Sequence, residues 1–239
     1  MRNLLVVPLL VLVLLATGNP ASAARSSVDY PVYDNGGKPD LTIDPKRFVS
    51  QMSIVDRNFD PAGCEVQEGS VGSGGYRRIL RFDTVVINGG DGDLVVGDRS
   101  DPNNPYHAYF QYSPCHGHYH ILGFSVYELL KPDGTLVIAG HKQGFCFEDS
   151  FKYDGDKSAG YNCSYQGITS GWGDWYYKQL GGQWIDITGV PAGDYIVRVT
   201  INLVGLNGLP IFDEGANRYP NTVETPIHVP DPRQKVSGL

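Results

Sequence analysis

The sequence holds only four cysteines and two methionines in 239 residues, and no two cysteines form a CxxC pair. That absence excludes a thioredoxin-type redox motif and the common paired-cysteine zinc sites. Beyond residue 23 there is no apolar run approaching the roughly 20 residues a bilayer span requires. Sustained 3.6-residue apolar periodicity is also missing outside the N-terminus, which argues against a helical bundle. Positive charge is scarce: 19 Lys and Arg face 26 Asp and Glu, a formal net charge of −7. Such a surface lacks the basic footprint of a nucleic-acid binder and mildly favours cationic partners.

Glycine (30), proline (16) and tyrosine (15) are abundant, which fits turn-rich β structure. At the N-terminus Arg2 precedes a leucine-rich run that Gly18, Asn19 and Pro20 end, and Ala21-Ser22-Ala23 is a small-residue cleavage site. Residues 1–23 therefore read as a secretory signal peptide, and the mature chain is expected to be secreted, with no membrane segment. In an oxidising compartment the four cysteines are expected to form two disulfides, and spacing alone leaves three connectivities open.

Residues 24–47 are polar and proline-rich and read as a flexible N-terminal arm. Residues 48–230 read as one folded domain and residues 231–239 as a tail. Strand-like runs over 78–88, 119–130, 135–139, 183–187 and 194–204 are separated by glycine-rich turns. Lys131-Pro-Asp-Gly-Thr135 is a turn with a mechanism, since proline presets φ and glycine tolerates positive φ. It is expected to join the strand that carries the histidines to its neighbour as a hairpin, and 189–193 forms a like turn. Two long irregular segments, 149–180 and 205–222, interrupt the pattern. The expected class is mainly β: an antiparallel, sandwich-like domain with long irregular loops and few short helices.

His116, His118 and His120 fall at i, i+2 and i+4, so a strand would project all three imidazoles to one side. Half of the six histidines are gathered there. Imidazole suits Cu, Zn, Fe and Ni, and three ligands on one element leave an open coordination position.

Around these residues the chain resembles a known family. Cys115-His-Gly-His-Tyr-His120, Phe124-Ser-Val-Tyr-Glu-Leu-Leu130, Gly140-His-Lys-Gln-Gly-Phe-Cys-Phe-Glu-Asp149 and Asp174-Trp-Tyr176 followed by Gln183-Trp-Ile-Asp-Ile-Thr188 occur in this order in the catalytic domain of lysyl oxidases. The likeness covers roughly residues 64–222, and it makes 48–230 a lysyl-oxidase-like catalytic domain of a minimal, microbial kind. It implies that His116, His118 and His120 bind copper and that Lys142 and Tyr176 become the cross-linked cofactor lysine tyrosylquinone. It implies oxidative deamination of a primary amine, peptidyl-lysine or a small amine, to an aldehyde with release of ammonia and hydrogen peroxide. A base must take the α-carbon proton, and Asp174 and Asp186 are the candidates.

The resemblance also implies the pairings Cys115–Cys163 and, by economy, Cys64–Cys146, the first pinning a loop that delivers Tyr176 to the metal. It further implies a candidate calcium site at Asp93, Leu94, Glu214, Asn217 and Asn221, suited by its oxygen donors. The chain is expected to act as a monomer. It departs from animal members in carrying Val126 where they often have histidine, and in lacking several of their cysteines. Two alternative readings are a non-catalytic metal-binding or matrix-interaction module and a cupin-like iron enzyme, for which Glu128 lies too far along the chain.

Overall fold

The computed structural model describes residues 30–140 and 144–231. The signal segment, most of the tail and Lys142 lie outside the described residues. The chain runs through β1 (Leu41–Ile43), α1 (Pro45–Ser50), β2 (Ser53–Phe59) and α2 (Cys64–Gln67). Next come β3 (Gly75–Arg81), β4 (Thr84–Asn88), β5 (Leu94–Gly97), β6 (Phe110–Ser113) and β7 (His118–Ile121). The middle holds β8 (Ser125–Leu130), β9 (Leu136–Gly140), β10 (Phe151–Lys152), β11 (Gln166–Ile168) and β12 (Trp172–Tyr176). The described chain closes with β13 (Trp184–Asp186), β14 (Gly193–Ile201) and β15 (Thr222–Val229).

The expected class is what the structure shows: mainly antiparallel strands, in several small sheets, with no closed barrel among the described residues. The two largest sheets have the orders β15-β14-β8-β9 and β1-β4-β12-β10, and β1 packs against β14 and β15. Smaller sheets are β13-β3-β2, β11-β5 and β6-β7. Along β14 burial alternates with period two, with Tyr195, Val197, Val199 and Ile201 turned inward. Strand β4, flanked by β1 and β12, is buried at every position. Between the sheets lies an aromatic block in which Phe124 packs on Phe145 and Phe147, with centroids 5.2 and 4.8 Å apart, and Phe147 on Phe212. Edge-to-face packing of this kind adds about 0.5–1.5 kcal/mol per pair beyond area burial.

Three expectations are corrected here. The described part of the N-terminal arm, residues 30–47, is built into the domain: Leu41 and Ile43 are buried, β1 pairs with β4, and Asp44 caps α1 through the amides of Lys46 and Arg47. Apolar residues one apart in 41–43 already make an edge strand, a signal that the polar surroundings masked. The turn 131–135 does make a hairpin, but it joins β8 to β9, while the histidine strand β7 ends at Ile121 and pairs with β6. Finally, 149–180 is not a loop throughout: β10, β11 and β12 lie within it, and β12 joins the central sheet beside β4.

Candidate metal centre and quinone site

The hairpin β6–β7 is closed by residues 114–117. Ser113 organises this turn: its carbonyl accepts from the amides of His116 (3.3 Å) and Gly117 (2.9 Å), and its hydroxyl from His116 N (3.2 Å). Gly117 sits at φ 72°, a left-handed conformation that glycine adopts without strain. His118 and His120 follow on β7 with their rings on one face, as alternation requires. His116 belongs to the turn rather than the strand. Its ring nevertheless joins the other two, with centroids 5.2 Å from His120 and 5.9 Å from His118.

Nε2 of His118 and Nε2 of His120 lie 2.9 Å apart. Two imidazole nitrogens this close, with a third ring beside them, offer nitrogen donors of the kind copper and zinc favour. The donor set therefore suits copper or zinc. Gly144 backs this face so closely that a Cβ there would stand 2.5 Å from His120 Cβ. The next residue bridges to β7: Ile121 N donates to Phe145 O (2.8 Å) and Phe145 N to Ile121 O (3.2 Å).

Tyr176 ends β12, and Asp174 precedes it by two residues on the same face. Both are buried. The Tyr176 hydroxyl donates to Cys146 O at 2.7 Å, its ring packs edge-to-face on Phe145 (4.6 Å), and the Asp174 carboxylate is its second polar neighbour. Burial, and then the charge of Asp174, push the phenol well above its usual pKa. Asp174 accepts from Ser150 Oγ (2.8 Å) and Glu148 N (3.3 Å), yet burial dominates and raises its carboxyl to about 7. A carboxyl poised there exchanges a proton at neutral pH. Tyr177, by contrast, is exposed and packs on Trp175 (4.6 Å).

The tyrosine and the histidines meet through one residue. Cys146 offers its carbonyl to Tyr176, and its sulfur, with that of Cys163, lies within 4.8 Å of a ring nitrogen of His118. These two sulfurs are bonded to each other, so they border the histidines instead of adding thiolate ligands.

The disulfides differ from the expected Cys115–Cys163 and Cys64–Cys146: they are Cys64–Cys115 and Cys146–Cys163, with Cα atoms 5.7 and 5.3 Å apart. The cause is packing. Helix α2 lies against the β6–β7 turn, where Ser113 donates to Glu68 at the helix C-cap (2.6 Å), so Cys64 faces Cys115. Segment 145–147 runs beside 163–167, with Gly167 N on Phe147 O (3.1 Å), so Cys146 faces Cys163.

Asp186 stands apart from this centre. It pairs with Arg77 (2.8 Å) and accepts from Gly72 N (3.1 Å) and Thr188 N (3.0 Å). Partial burial opposes ionisation, but the Thr188 and Arg77 hydrogen bonds win and hold its carboxyl below the usual range. It is a bracing carboxylate between β13 and β3.

The expected calcium residues divide into two groups. Asp93 is held by Lys157 Nζ (2.8 Å), Ser170 N (3.0 Å) and Tyr161 OH (3.3 Å), and Leu94 lies buried in β5. Glu214 is buried elsewhere, accepting from Leu41 N (2.5 Å), Asn221 Nδ2 (2.6 Å) and Asn202 Nδ2, while Asn217 N donates to its carbonyl (3.3 Å). Burial raises its carboxyl to about 7, and the nearby charge of Asp40 adds to this. Asp40 is wholly buried, and among the described residues neither its Oδ1 nor Asn221 Oδ1 has a hydrogen-bond partner. Two orphaned buried oxygens beside Glu214 suit a hard cation. Asp40 thus replaces Asp93 and Leu94 in that group. The signal was local, since Pro39-Asp-Leu41 leads into β1, but without the fold nothing connects it with Glu214.

A sequence profile of the lysyl oxidase family matches residues 55–209. Human lysyl oxidase homolog 2 is 34% identical over 197 residues, covering 77% of this chain and 24% of that protein. Zebrafish (Danio rerio) lysyl oxidase homolog 2A is 35% identical over 196 residues, covering 77% and 25%. Human lysyl oxidase homolog 3 is 38% identical over 175 residues, covering 68% and 22%. The chain spans about a quarter of the length of these relatives.

Proposed function

This chain belongs to the lysyl oxidase family, and on that premise we propose that it is a secreted, monomeric, copper-dependent amine oxidase acting on peptidyl-lysine or small primary amines. The observation that carries the reading is the convergence of Nε2 of His118 and His120 beside the ring of His116. These three residues would hold the copper. Lys142 and Tyr176 would supply the cross-linked quinone, whose carbonyl chemistry converts the amine to an aldehyde while O2 becomes hydrogen peroxide.

The chain's own side chains prepare this chemistry. Cys146 O fixes the direction of the Tyr176 hydroxyl, and Phe145 packs its ring. Asp174 is the base assigned to the α-carbon proton, because a buried carboxyl near pH 7 both accepts and returns it. Ser150 and Glu148 hold that carboxyl in place, whereas Asp186 is committed to Arg77. Asp40, Glu214 and Asn221 would hold a calcium ion that braces β1 against the C-terminal strands. Among the described residues no helix is long and apolar enough to cross a membrane, and residues 1–23 direct export in this reading.

The test is peptide mapping after the apo protein is exposed to Cu²⁺ and O2. A cross-linked peptide pair carrying Lys142 and Tyr176 is expected, absent in Lys142→Arg, with peroxide released on adding a primary amine. Absence of both the cross-link and peroxide defeats the reading.

A further inference from the structure

We propose that, once the Cys146–Cys163 disulfide is reduced, its two sulfurs and a ring nitrogen of His118 form a binding site for Cu(I). This goes beyond the amine-oxidase reading, and it needs neither the quinone nor the full set of three histidines.

The donors are already gathered. One ring nitrogen of His118 and the sulfurs of Cys146 and Cys163 lie within 4.8 Å of one another. Bonded together, the sulfurs are poor ligands; as thiolates they are soft donors of the kind that selects Cu(I). Breaking the S–S bond lets the sulfurs part and take two corners of a coordination triangle, with the imidazole at the third. A closed zinc site asks for four donors, and here three converge.

The frame that holds these donors does not depend on the disulfide. Gln166 is buried and joins the three segments: its Oε1 accepts from Phe147 N (3.2 Å), next to Cys146, and its Nε2 donates to Tyr119 O (2.7 Å), next to His118. Gly167 N donates to Phe147 O (3.1 Å), and Phe145 is bridged to Ile121 of β7 through both of its backbone groups. Cys163 sits in a turn where Asn162 Oδ1 accepts from Ser164 N (2.8 Å) and Tyr165 N (3.2 Å). Opening the bond therefore leaves both sulfurs beside His118.

A reductant also has a way in. Cys146 is buried, but Cys163 is half-buried and lines a cavity of about 340 Å³ together with His118. The thiolate of a small thiol attacks Cys163 Sγ, the S–S bond breaks, and Cys146 leaves as a thiolate. A second thiol then frees Cys163, and the reductant departs as its own disulfide. Two electrons and two protons thus pass to the protein. Cu(I) displaces the two thiol protons with no further electron transfer. His118 serves one ion at a time, with the sulfurs while the chain is reduced and with His116 and His120 once the bond closes.

The experiment uses the full chain without oxygen, treated with dithiothreitol and then freed of it, with folding checked by circular dichroism. Cu(I) is supplied as its coloured bicinchoninate complex, and loss of colour reports transfer to the protein. Reduced wild type is expected to take up one Cu(I) about tenfold or more tightly than the oxidised protein. Reduced His118→Ala is expected to bind about tenfold or more weakly than reduced wild type. Alkylation of the copper-loaded chain gives a second readout: Cys146 and Cys163 should be protected while Cys64 and Cys115 react. Equal binding by reduced wild type and reduced His118→Ala, or equal protection of all four cysteines, overturns the proposal. Loss of the folded spectrum on reduction, before metal is added, overturns it too. The Lys142–Tyr176 cross-link is read on the oxidised chain with Cu²⁺, so failure of the amine-oxidase reading and failure of this site are distinguishable.

Discussion

The hydroxyl of Tyr176 and the carboxyl of Asp174 lie together on the buried face of β12, two residues apart in one strand. A strand's period of two puts them there, and the sheet's position beside β4 removes both from water. Burial raises both, Asp174 raises the phenol further, and the Tyr176 hydrogen bond lowers the carboxyl without overcoming its burial, so in the resting protein both are protonated below neutrality.

Asp174→Asn should separate catalysis from folding. If Asp174 is the base, the amine oxidation rate of wild type rises with pH through about 7, as the carboxyl ionises. The variant should lose that limb of the profile and about 10²–10⁴ in rate, with the quinone absorbance monitored separately. A variant that keeps both the limb and the rate places the base elsewhere.

The same group makes a stability prediction of the opposite sign. Its folded pKa is raised above the unfolded value, so its contribution is fully present at low pH and is lost as pH rises through about 7. Thermal melts of apo wild type should therefore fall between pH 5 and 8 more steeply than those of Asp174→Asn, which carries no proton to lose. Parallel pH curves for the two proteins would rule this out.

Glu214 has the same sign, with a carboxyl raised to about 7 beside the wholly buried Asp40. A bound cation favours the ionised carboxylates, so added Ca²⁺ should raise Tm, and more at pH 8 than at pH 5. At a hundredfold excess over Kd the gain is about 2.7 kcal/mol. In Glu214→Gln or Asp40→Asn the Ca²⁺ response should vanish, and Asp93→Asn should keep it. Should Asp93→Asn alone lose the response, the ion belongs with Lys157's partner instead.

Peptide mapping without reduction should recover Cys64 linked to Cys115 and Cys146 linked to Cys163. Cys163→Ser should cost about 2–4 kcal/mol of stability. A recovered Cys115–Cys163 peptide would contradict the fold around α2.

Gly144→Ala probes the support behind the histidines. The added Cβ would press on His120 Cβ at 2.5 Å, so β7 or segment 144–147 must shift. Crowding of this kind costs about 1–3 kcal/mol, and Cu²⁺ affinity should fall with it. Gly117→Ala meets no atom within 4 Å and should show only the backbone strain of its φ of 72°, about 1–2 kcal/mol. Equal Cu²⁺ affinity in Gly144→Ala and wild type would show that His120 does not depend on that contact.

How much of this was legible beforehand depends on how local each signal is. The β class followed from glycine, proline and the short alternating runs, and β14 displays that alternation without a break. The histidine spacing and the strings around Lys142 and Tyr176 named the family because side-chain order along the chain is itself the information. Strand β12 was hidden, since Trp172-Gly-Asp-Trp-Tyr176 does not alternate polar and apolar residues; a strand buried on both faces need not.

The sequence by itself determined the residue types of the centre: three imidazoles on a hairpin, a lysine and a tyrosine in their motifs, and a carboxyl two residues before that tyrosine. Only the tertiary structure decided which groups share a space. Cys64 meets Cys115 and Glu68 meets His116 because α2 packs on the β6–β7 turn. Asp40 meets Glu214, 174 residues later in the chain, because β1 closes against the C-terminal segment. Pairings between distant residues depend on how elements pack, and no spacing along one chain encodes that distance.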